Sequence, residues 1–554
     1  MLSPLYEAIW HGLIYVAEEM GVVLQQTAVS PNIRDRLDFS CAVLDPTGRL
    51  VAQAEHIPVH LGTMAVAGPL IVDKVLREYN VEPGDVFITN NPYLAGTHLN
   101  DITLLQPVFY SNKIVAWLIN KAHHVDVGGS VPGSIGGMAT SLIEEGTIIP
   151  LIRLARGGDI DKTVIEILAA NSRTPLQLKM DLHAQLAALK RGEELVKQLI
   201  ERYSVQNLLE AMKSSIEYVR EYTRRSLEEH RGVASAEDVL EGMKKDYVIR
   251  VSVDIRDGCA RIDYEGTSSQ AREPLNSVFH VTVAATTFAL KMVFDPQMPV
   301  NQGFYEAVEI VAPQGTLVNP VPPAPVSAYT ETSQRIVDVV LRALAEIVPE
   351  RVPAASGGTM TNVSFGGREW AFYETIGCGF GARPSADGVD GVHVNMTNTL
   401  NTPIEILEQL YPIRILRYEL RPGSGGLGKY RGGLGIVREY LALDRVRVSI
   451  AGNRVRSRPW GLNGGLPGKP ARYMVIRGSG VVEQLQPIAS VELAPGERLV
   501  VETPGGGGYG DPCERPESSI REDVVDGKIG FEEVEKILHE CKQAKHGFRI
   551  KHIF

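Results

Sequence analysis

Asn90–Gly129, NNPYLAGTHLNDITLLQPVFYSNKIVAWLINKAHHVDVGG, is the stretch whose reading decides the fold. It places His98 and Asp101 before a strand-like hairpin, and His123, His124 and Asp126 after it. Asn90-Asn91-Pro92 and Gly96-Thr97 break any helix ahead of His98. Phe109 to Asn120, turned at Ser111-Asn112, reads as two antiparallel strands. A hairpin returns on itself, so the pair at 98/101 and the pair at 123/124 should meet at one sheet edge. Imidazole nitrogen with carboxylate oxygen is a donor set for manganese, iron or zinc, unlike a closed thiolate site. A single His or Asp in a glycine-rich loop usually holds a turn through local hydrogen bonds. Five of them in one hairpin point to a site.

Upstream, residues 4–25 carry Ile9, Leu13, Val16, Met20 and Leu24 at helical spacing. RDRLDFSCAVLDPTGRLVAQ then gives two strands around Asp45-Pro46-Thr47-Gly48, with Asp38 at the entrance of the first. Asp38 is either a strand-end turn residue or an inward carboxylate that needs a cation to offset its burial. In His56-Ile57-Pro58-Val59-His60, Pro58 argues against a regular helix. An extended segment puts residues 56 and 60 on one face, so both imidazoles are expected to line the wall of a cleft. A separate metal site and two unrelated surface histidines are the alternatives. Residues 64–79 read as a helix. The glycine- and serine-rich run 128–146 is either a lid or a surface loop.

Downstream, 164–230 is helical, with breaks at 172–175 and near Ser204. DYVIRVSVDIRDGCARIDYEG alternates apolar and polar residues across Arg256-Asp257-Gly258, a hairpin signal. Helices are expected over 276–294 and 331–347, either side of a proline-rich connection at 313–325. Gly377 and Gly379 suggest a dinucleotide fingerprint, but no helix opens after them. Lys429, in its glycine run at 421–435, lacks the Gly-Lys-Ser/Thr close of a phosphate loop. Turns between short strands account for these glycines, and 516–545 reads as a helical tail. The expected fold class is α+β and multidomain, with mixed sheets, helical segments and a β-rich C-terminal part. The expected units are 1–234 (site-bearing), 235–415 (α/β), 416–515 (β-rich) and 516–554 (tail).

The 554 residues carry a net charge of -10 and no basic block, which argues against nucleic acid as a partner. The five cysteines stand singly, which argues against a disulfide framework and for a reducing, cytoplasmic setting. No apolar run reads as a membrane span.

The chain resembles the hydantoinase B/oxoprolinase family, which includes the large subunits of acetone and acetophenone carboxylases. The resemblance rests on RLDFSCAVLDPTGRLVAQAEHIPVHLG (36–62), NNPYLAGTHLNDITL (90–104), KAHHVDVGG (121–129) and NSRTP with DLHAQLAA (171–188). It extends through LVNPVPPAPV (317–326), GFGARPSADGVDG (379–391), KYRGGLG (429–435) and TPGGGGYGDP (503–512). It implies metal ligands at Asp38, His98, Asp101 and His123, and the His/Asp donor set without cysteine predicts about one divalent ion, manganese or zinc ahead of iron. It also implies a hydantoinase A-type partner of the actin/hexokinase-like fold, which spends ATP to phosphorylate a substrate carbonyl. The expected function is the metal-bearing B subunit of an ATP-dependent hydrolase of cyclic amides such as hydantoins or 5-oxoproline. An ATP-dependent ketone carboxylase and a non-catalytic scaffold are the alternatives. His124 and Asp126 are the expected proton-transfer groups, with Asp126 equally suited to orienting a ligand histidine, and His56 and His60 are expected on the substrate side. A hetero-oligomer built on a two-fold axis is expected. The ending HGFRIKHIF departs from the family pattern.

Overall fold

The computed structural model describes residues 2–135 and 138–543, so the HGFRIKHIF ending lies outside the described residues. The fold is α+β and multidomain, as expected. Its first sheet has seven strands: β1 (Phe39–Leu44), β2 (Leu50–Gln53), β3 (Val86–Thr89), β4 (Asp101–Tyr110), β5 (Lys113–His123), β6 (Ile152–Arg156) and β7 (Asp159–Ile160). Their order is β2-β1-β5-β4-β3-β6-β7. The β4–β5 hairpin turns at Ser111 and Asn112, both at positive φ (47° and 60°), the conformation a two-residue hairpin turn needs. Almost every residue of β1, β4 and β5 is buried, because helices cover both faces. Pro4–Thr27 and Pro175–Tyr203 pack together on one side, and Pro58–Glu78 packs against Phe279–Phe294 on the other. Pro58–Glu78 is long and apolar enough to cross a membrane by length and composition, contrary to the expectation, but 67% of that window is buried inside the protein.

The helices Lys162–Ala170, Pro175–Tyr203 and Val205–Glu228 break at 171–174 and at Ser204. A second sheet follows: β8 (Gly232–Leu240), β9 (Tyr247–Arg256), β10 (Cys259–Asp263) and β11 (Val308–Val311). The helix Tyr329–Leu344 crosses it and is buried over nearly its whole length. Arg335 on that helix and Arg454 meet Asp238 and Asp338 in a buried ionic cluster, with Arg454 Nη2 2.7 Å from Asp338 Oδ2.

The last two sheets comprise β12 (Asn362–Gly366), β13 (Ala371–Thr375), β14 (Ile413–Leu420), β15 (Ile436–Ala442), β16 (Val446–Ala451), β17 (Arg472–Ile476), β18 (Val482–Gln484), β19 (Ile488–Leu493) and β20 (Arg498–Glu502). Their orders are β13-β12-β16-β19 and β14-β15-β20-β17-β18. β12 pairs with β16, so the boundary expected at 415/416 falls inside a sheet.

The glycine runs are not simple turns. Extended segments around 357, 379–382, 425–433, 461–468 and 504–508 lie side by side and hydrogen-bond to one another outside any sheet. Gly379 N donates to the Pro504 carbonyl (3.0 Å), Gly433 N to Phe380 (2.8 Å), Gly506 N to Gly433 (2.9 Å) and Gly426 N to Gly506 (2.8 Å). The spacing leaves no room for side chains: a Cβ on Gly379 would stand 2.0 Å from the Gly433 carbonyl oxygen. The tail helices Glu517–Val525 and Phe531–Gln543 follow, and a disulfide joins Cys513 to Cys541. That bond corrects the expectation of free thiols. The two cysteines are 28 residues apart in sequence, and only the tail's return toward the Pro512–Glu514 turn brings them together.

Close packing of this bundle makes a clear prediction. Gly379→Ala should cost about 3 kcal/mol or more in denaturant unfolding, or prevent folding, because the obstructing atom is backbone. Gly478→Ala, where a Cβ meets nothing within 4 Å, should stay within about 0.5 kcal/mol of the parent.

Candidate metal centre

Antiparallel pairing of β4 with β5 sets Asp101 directly opposite His123. The tight turn before β4 then brings His98 back over Asp101. Gly96 (φ 79°) and Thr97 (φ 75°) bend the chain, and Asp101 N donates to the His98 carbonyl (3.1 Å). Asn100 locks this loop to the end of the hairpin, its Nδ2 donating to the carbonyls of His124 (2.9 Å) and Gly133 (3.1 Å). β1 lies on the other side of β5, and His123 N donates to the Asp38 carbonyl (3.0 Å), which brings the Asp38 side chain to the same place.

The donor atoms converge. His98 Nε2 lies 3.2 Å from His123 Nδ1 and 3.3 Å from Asp101 Oδ2, and His123 Nδ1 lies 3.2 Å from Asp101 Oδ1. Asp38 Oδ2 is 3.8 Å from His123 Nδ1 and 3.7 Å from the buried Arg36 guanidinium. All of these side chains are buried, yet neither Asp101 oxygen accepts a well-directed hydrogen bond. His98 Nδ1 is held at 3.2 Å by the Ser327 carbonyl, to which it can only donate, so in the neutral imidazole Nε2 presents its lone pair to the cluster. Lone pairs of buried nitrogens and an undirected carboxylate facing one point are what a cation satisfies. His98, Asp101 and His123 therefore fit a divalent ion, with Asp38 at the margin.

Charge follows the same geometry. Burial pushes the Asp101 carboxyl up, but His98 and His60 outweigh it and hold it well below the usual range. Burial lowers the His98 pKa, yet the Asp101 charge and the Ser327 carbonyl win and leave it raised. At His123 burial wins, and the pKa is lowered.

The frame around these groups comes largely from outside the hairpin. Tyr373 of β13 stacks flat on His123 (centroids 4.6 Å, 8° between planes), and Tyr329 meets His98 edge-on at 4.9 Å. The Tyr373 hydroxyl donates to Asn362 Oδ1 (2.7 Å), and Asn362 Nδ2 donates to Glu331 Oε1 (3.1 Å). The Glu145 carboxylate accepts from Val326 N (3.0 Å) and Ser327 N (2.8 Å), fixing the carbonyl that orients His98. None of these residues was selected from the sequence. Ser327 meets His98 from 229 residues away, a tertiary fact. The cavity over the cluster has about 20 Å³ for the centre of a water-sized sphere, room for an ion or a water.

The other expected site residues separate into two groups. His60 joins the cluster, its Nε2 3.3 Å from Asp101 Oδ2 and its ring lining the cavity. It does so from a helix. Pro58 is the first residue of Pro58–Glu78, where a missing N–H costs nothing, so the extended reading of 56–60 is corrected. His56 is not on the cavity. Its Nδ1 accepts from Cys41 N (3.1 Å), its ring packs on Phe39, and burial lowers its pKa to about 4. His124 points away, with Nε2 3.0 Å from Gln185 Oε1. Asp126 accepts from the backbone N–H groups of Gly128, Gly133 and Arg173 and from the Arg173 guanidinium (2.9 Å). With Ser134, whose hydroxyl donates to the Gly128 carbonyl (2.7 Å), it ties residues 126–134 down. Residues 126–134 are a fastened loop.

The Hydantoinase B/oxoprolinase family model matches residues 4–512, so the chain belongs to that family. An uncharacterized protein of Methanocaldococcus jannaschii is 50% identical, covering 95% of this chain and 93% of that protein. 5-Oxoprolinase 1 of Arabidopsis thaliana is 36% identical over 90% of this chain, which spans only 41% of that longer protein. Among solved structures, the ATP-dependent caprolactamase of Pseudomonas jessenii superimposes with a TM-score of 0.89 at 29% identity, over 96% of this chain and 95% of that one.

Buried neutral histidines give a pH prediction. Burial lowers His56 and His280 to about 4, so the unfolded chain takes up their protons first as pH falls below 6.5. Their stability is present above 6.5 and lost down to about pH 4, up to about 3 kcal/mol for His280. His98 contributes in the opposite sense, losing stability as pH rises past 6.5. Denaturant unfolding between pH 7.5 and 4.5 should show a net fall toward acid, and His280→Asn should flatten it.

Proposed function

We propose that this chain is the metal-bearing B subunit of an ATP-dependent hydrolase of cyclic amides, of the hydantoin or 5-oxoproline kind. The observation that carries the reading is the buried His98–Asp101–His123 convergence in a member of this family. His98, Asp101, His123 and Asp38 would hold one manganese or zinc ion, which as a Lewis acid lowers the pKa of water and polarises oxygen ligands. His60 steadies the Asp101 carboxylate. Tyr373 and Tyr329 fix the imidazole planes and, with Met360 and Met396 on the cavity wall, exclude bulk water.

An amide is a poor electrophile. The partner, a hydantoinase A-type ATPase, transfers the γ-phosphoryl group of ATP to the oxygen of the imidic tautomer. Water then adds at that carbon, and the ring C–N bond breaks as the nitrogen takes up a proton. A second water hydrolyses the resulting acyl phosphate to carboxylate and phosphate. No glycine run here closes as a phosphate loop, which supports placing the ATP step outside these residues.

The test is coexpression with the A-type subunit. Ring opening of 5-oxoproline or hydantoin should need both chains and ATP, and the isolated chain should show no tight ATP binding by calorimetry. Elemental analysis should find about one divalent ion per chain, absent in His98→Ala. Asp101→Asn should leave the complex assembled and lower turnover at least about 100-fold. Lactam opening by the chain alone without ATP would overturn the proposal.

A further inference from the structure

The helix Pro58–Glu78 begins at the wall of the cavity, and its first turn is uncapped. Ile57 stands at the N-cap, among the poorest residues for that position, and no side chain accepts from the turn. The first four N–H groups of any helix lack partners within it. Here Ile57 N donates to Ser40 Oγ (3.2 Å), and Pro58 has no N–H to place. Leu61 N makes the first bond back, to the Ile57 carbonyl (3.2 Å). Val59 N–H and His60 N–H are left, and among the described residues neither finds an acceptor. The His56 carbonyl, four residues before His60, receives Asn398 Nδ2 (3.1 Å) instead. Val59 and His60 are each 2% exposed, so bulk water does not serve these donors. A buried helix end left open in this way needs an occupant.

Ile57, Val59 and His60 all line the cavity over His98, Asp101 and His123. A second orphan lies on the same wall: His60 Nε2 faces Asp101 Oδ2, while its Nδ1 is buried without a partner. The open N–H pair carries the partial positive charge of a 21-residue helix, which favours an anionic oxygen. With Nε2–H on Asp101, His60 Nδ1 offers a lone pair to a hydroxyl. A monoprotonated phosphoryl group meets both demands, with an anionic oxygen for the N–H pair and a P–O–H for Nδ1. Asp38 and Asp101 by themselves would repel it, and a divalent ion held between them offsets their charge. The cavity has room for one ion or water, so the group would enter with one oxygen at the helix end. Met360 and Met396 on the wall are unbranched side chains able to shift around the rest.

We propose that the N-terminus of Pro58–Glu78 is a phosphoryl subsite of the metal cavity, with Val59 N–H and His60 N–H holding one anionic oxygen. The inference rests on the reading of this cavity as the place where a phosphorylated substrate reacts, and it gives the phosphoryl group its position there.

The probe is inorganic phosphate, titrated by calorimetry into the full chain after incubation with manganese and desalting. The parent should bind a single phosphate. A side chain that caps the helix should compete for the same donors. Ile57→Asp should therefore raise the phosphate dissociation constant at least about 10-fold, and Ile57→Ser about 5-fold. Ile57→Ala removes the same apolar bulk without capping and should stay within about 2-fold of the parent. Both capped variants should unfold at no lower temperature than Ile57→Ala, which separates lost binding from lost fold. Phosphate bound by a chain that holds no manganese keeps the subsite and overturns the metal reading. Absence of phosphate binding, with manganese present or not, leaves the helix end to an ordered water and overturns the subsite. Equal phosphate affinity in I57D and I57A also overturns it, since the metal alone would then hold the anion.

Discussion

The alignment of Asp101 with His123 across β4 and β5 is the constraint on which the rest depends. Side chains alternate in a strand, so a slip of one residue would send Asp101 and His123 to opposite faces. The turn at Ser111-Asn112 and the burial of both faces hold the register. Once it is set, β1 can deliver Asp38 only at the edge of β5, and the 96–100 turn can deliver His98 only above Asp101. Lys121, on β5, lies in the same buried layer, its Nζ donating to Thr63 Oγ1 and the Ala95 carbonyl (2.8 Å each). Burial lowers it to about 8 against the pull of Asp101, so positive charge stays costly beneath a site that gathers carboxylates.

A ligand cluster also needs its rings held still, and the chain does this from a distance. The Glu145–Ser327 contacts fix one imidazole, and the Glu331–Asn362–Tyr373 chain backs the other. Burial raises Glu145 and Glu331 to about 7 each, despite the N–H groups that point at them. The glycine bundle belongs to the same support. Its 357–358 segment leads into Met360, whose N–H is held by Glu331 (3.1 Å) and whose side chain lines the cavity. Gly358 packs against the buried helix Tyr329–Leu344, where a Cβ would stand 2.4 Å from Asp338 Oδ2.

The hairpin and its convergence were legible because they are local: turn residues, alternation and short spacing determine them. The helix breaks near Thr174 and at Ser204 were legible for the same reason. His56 and His60 were misjudged together because Pro58 is compatible with either an extended segment or a helix start, and only packing chooses. His124 and Asp126 were chosen by adjacency to a ligand. β5 ends at His123, and the chain beyond it carries His124 to Gln185 and Asp126 to Arg173. Tyr329, Tyr373, Ser327 and Glu145 leave no local signal, since their contribution arises when elements up to 250 residues from His123 close over it. The Cys513–Cys541 bond was likewise hidden by sequence separation.

The central claim is that His98, Asp101 and His123 form a metal centre. Anomalous diffraction at the manganese and zinc edges, from crystals of chelator-free protein, tests it most directly. The account predicts one strong peak among the His98 and His123 ring nitrogens and the Asp101 carboxylate, lost in the His98→Ala crystal. No peak at that position, with the imidazoles and the carboxylate hydrogen-bonded to one another or to water, would contradict it.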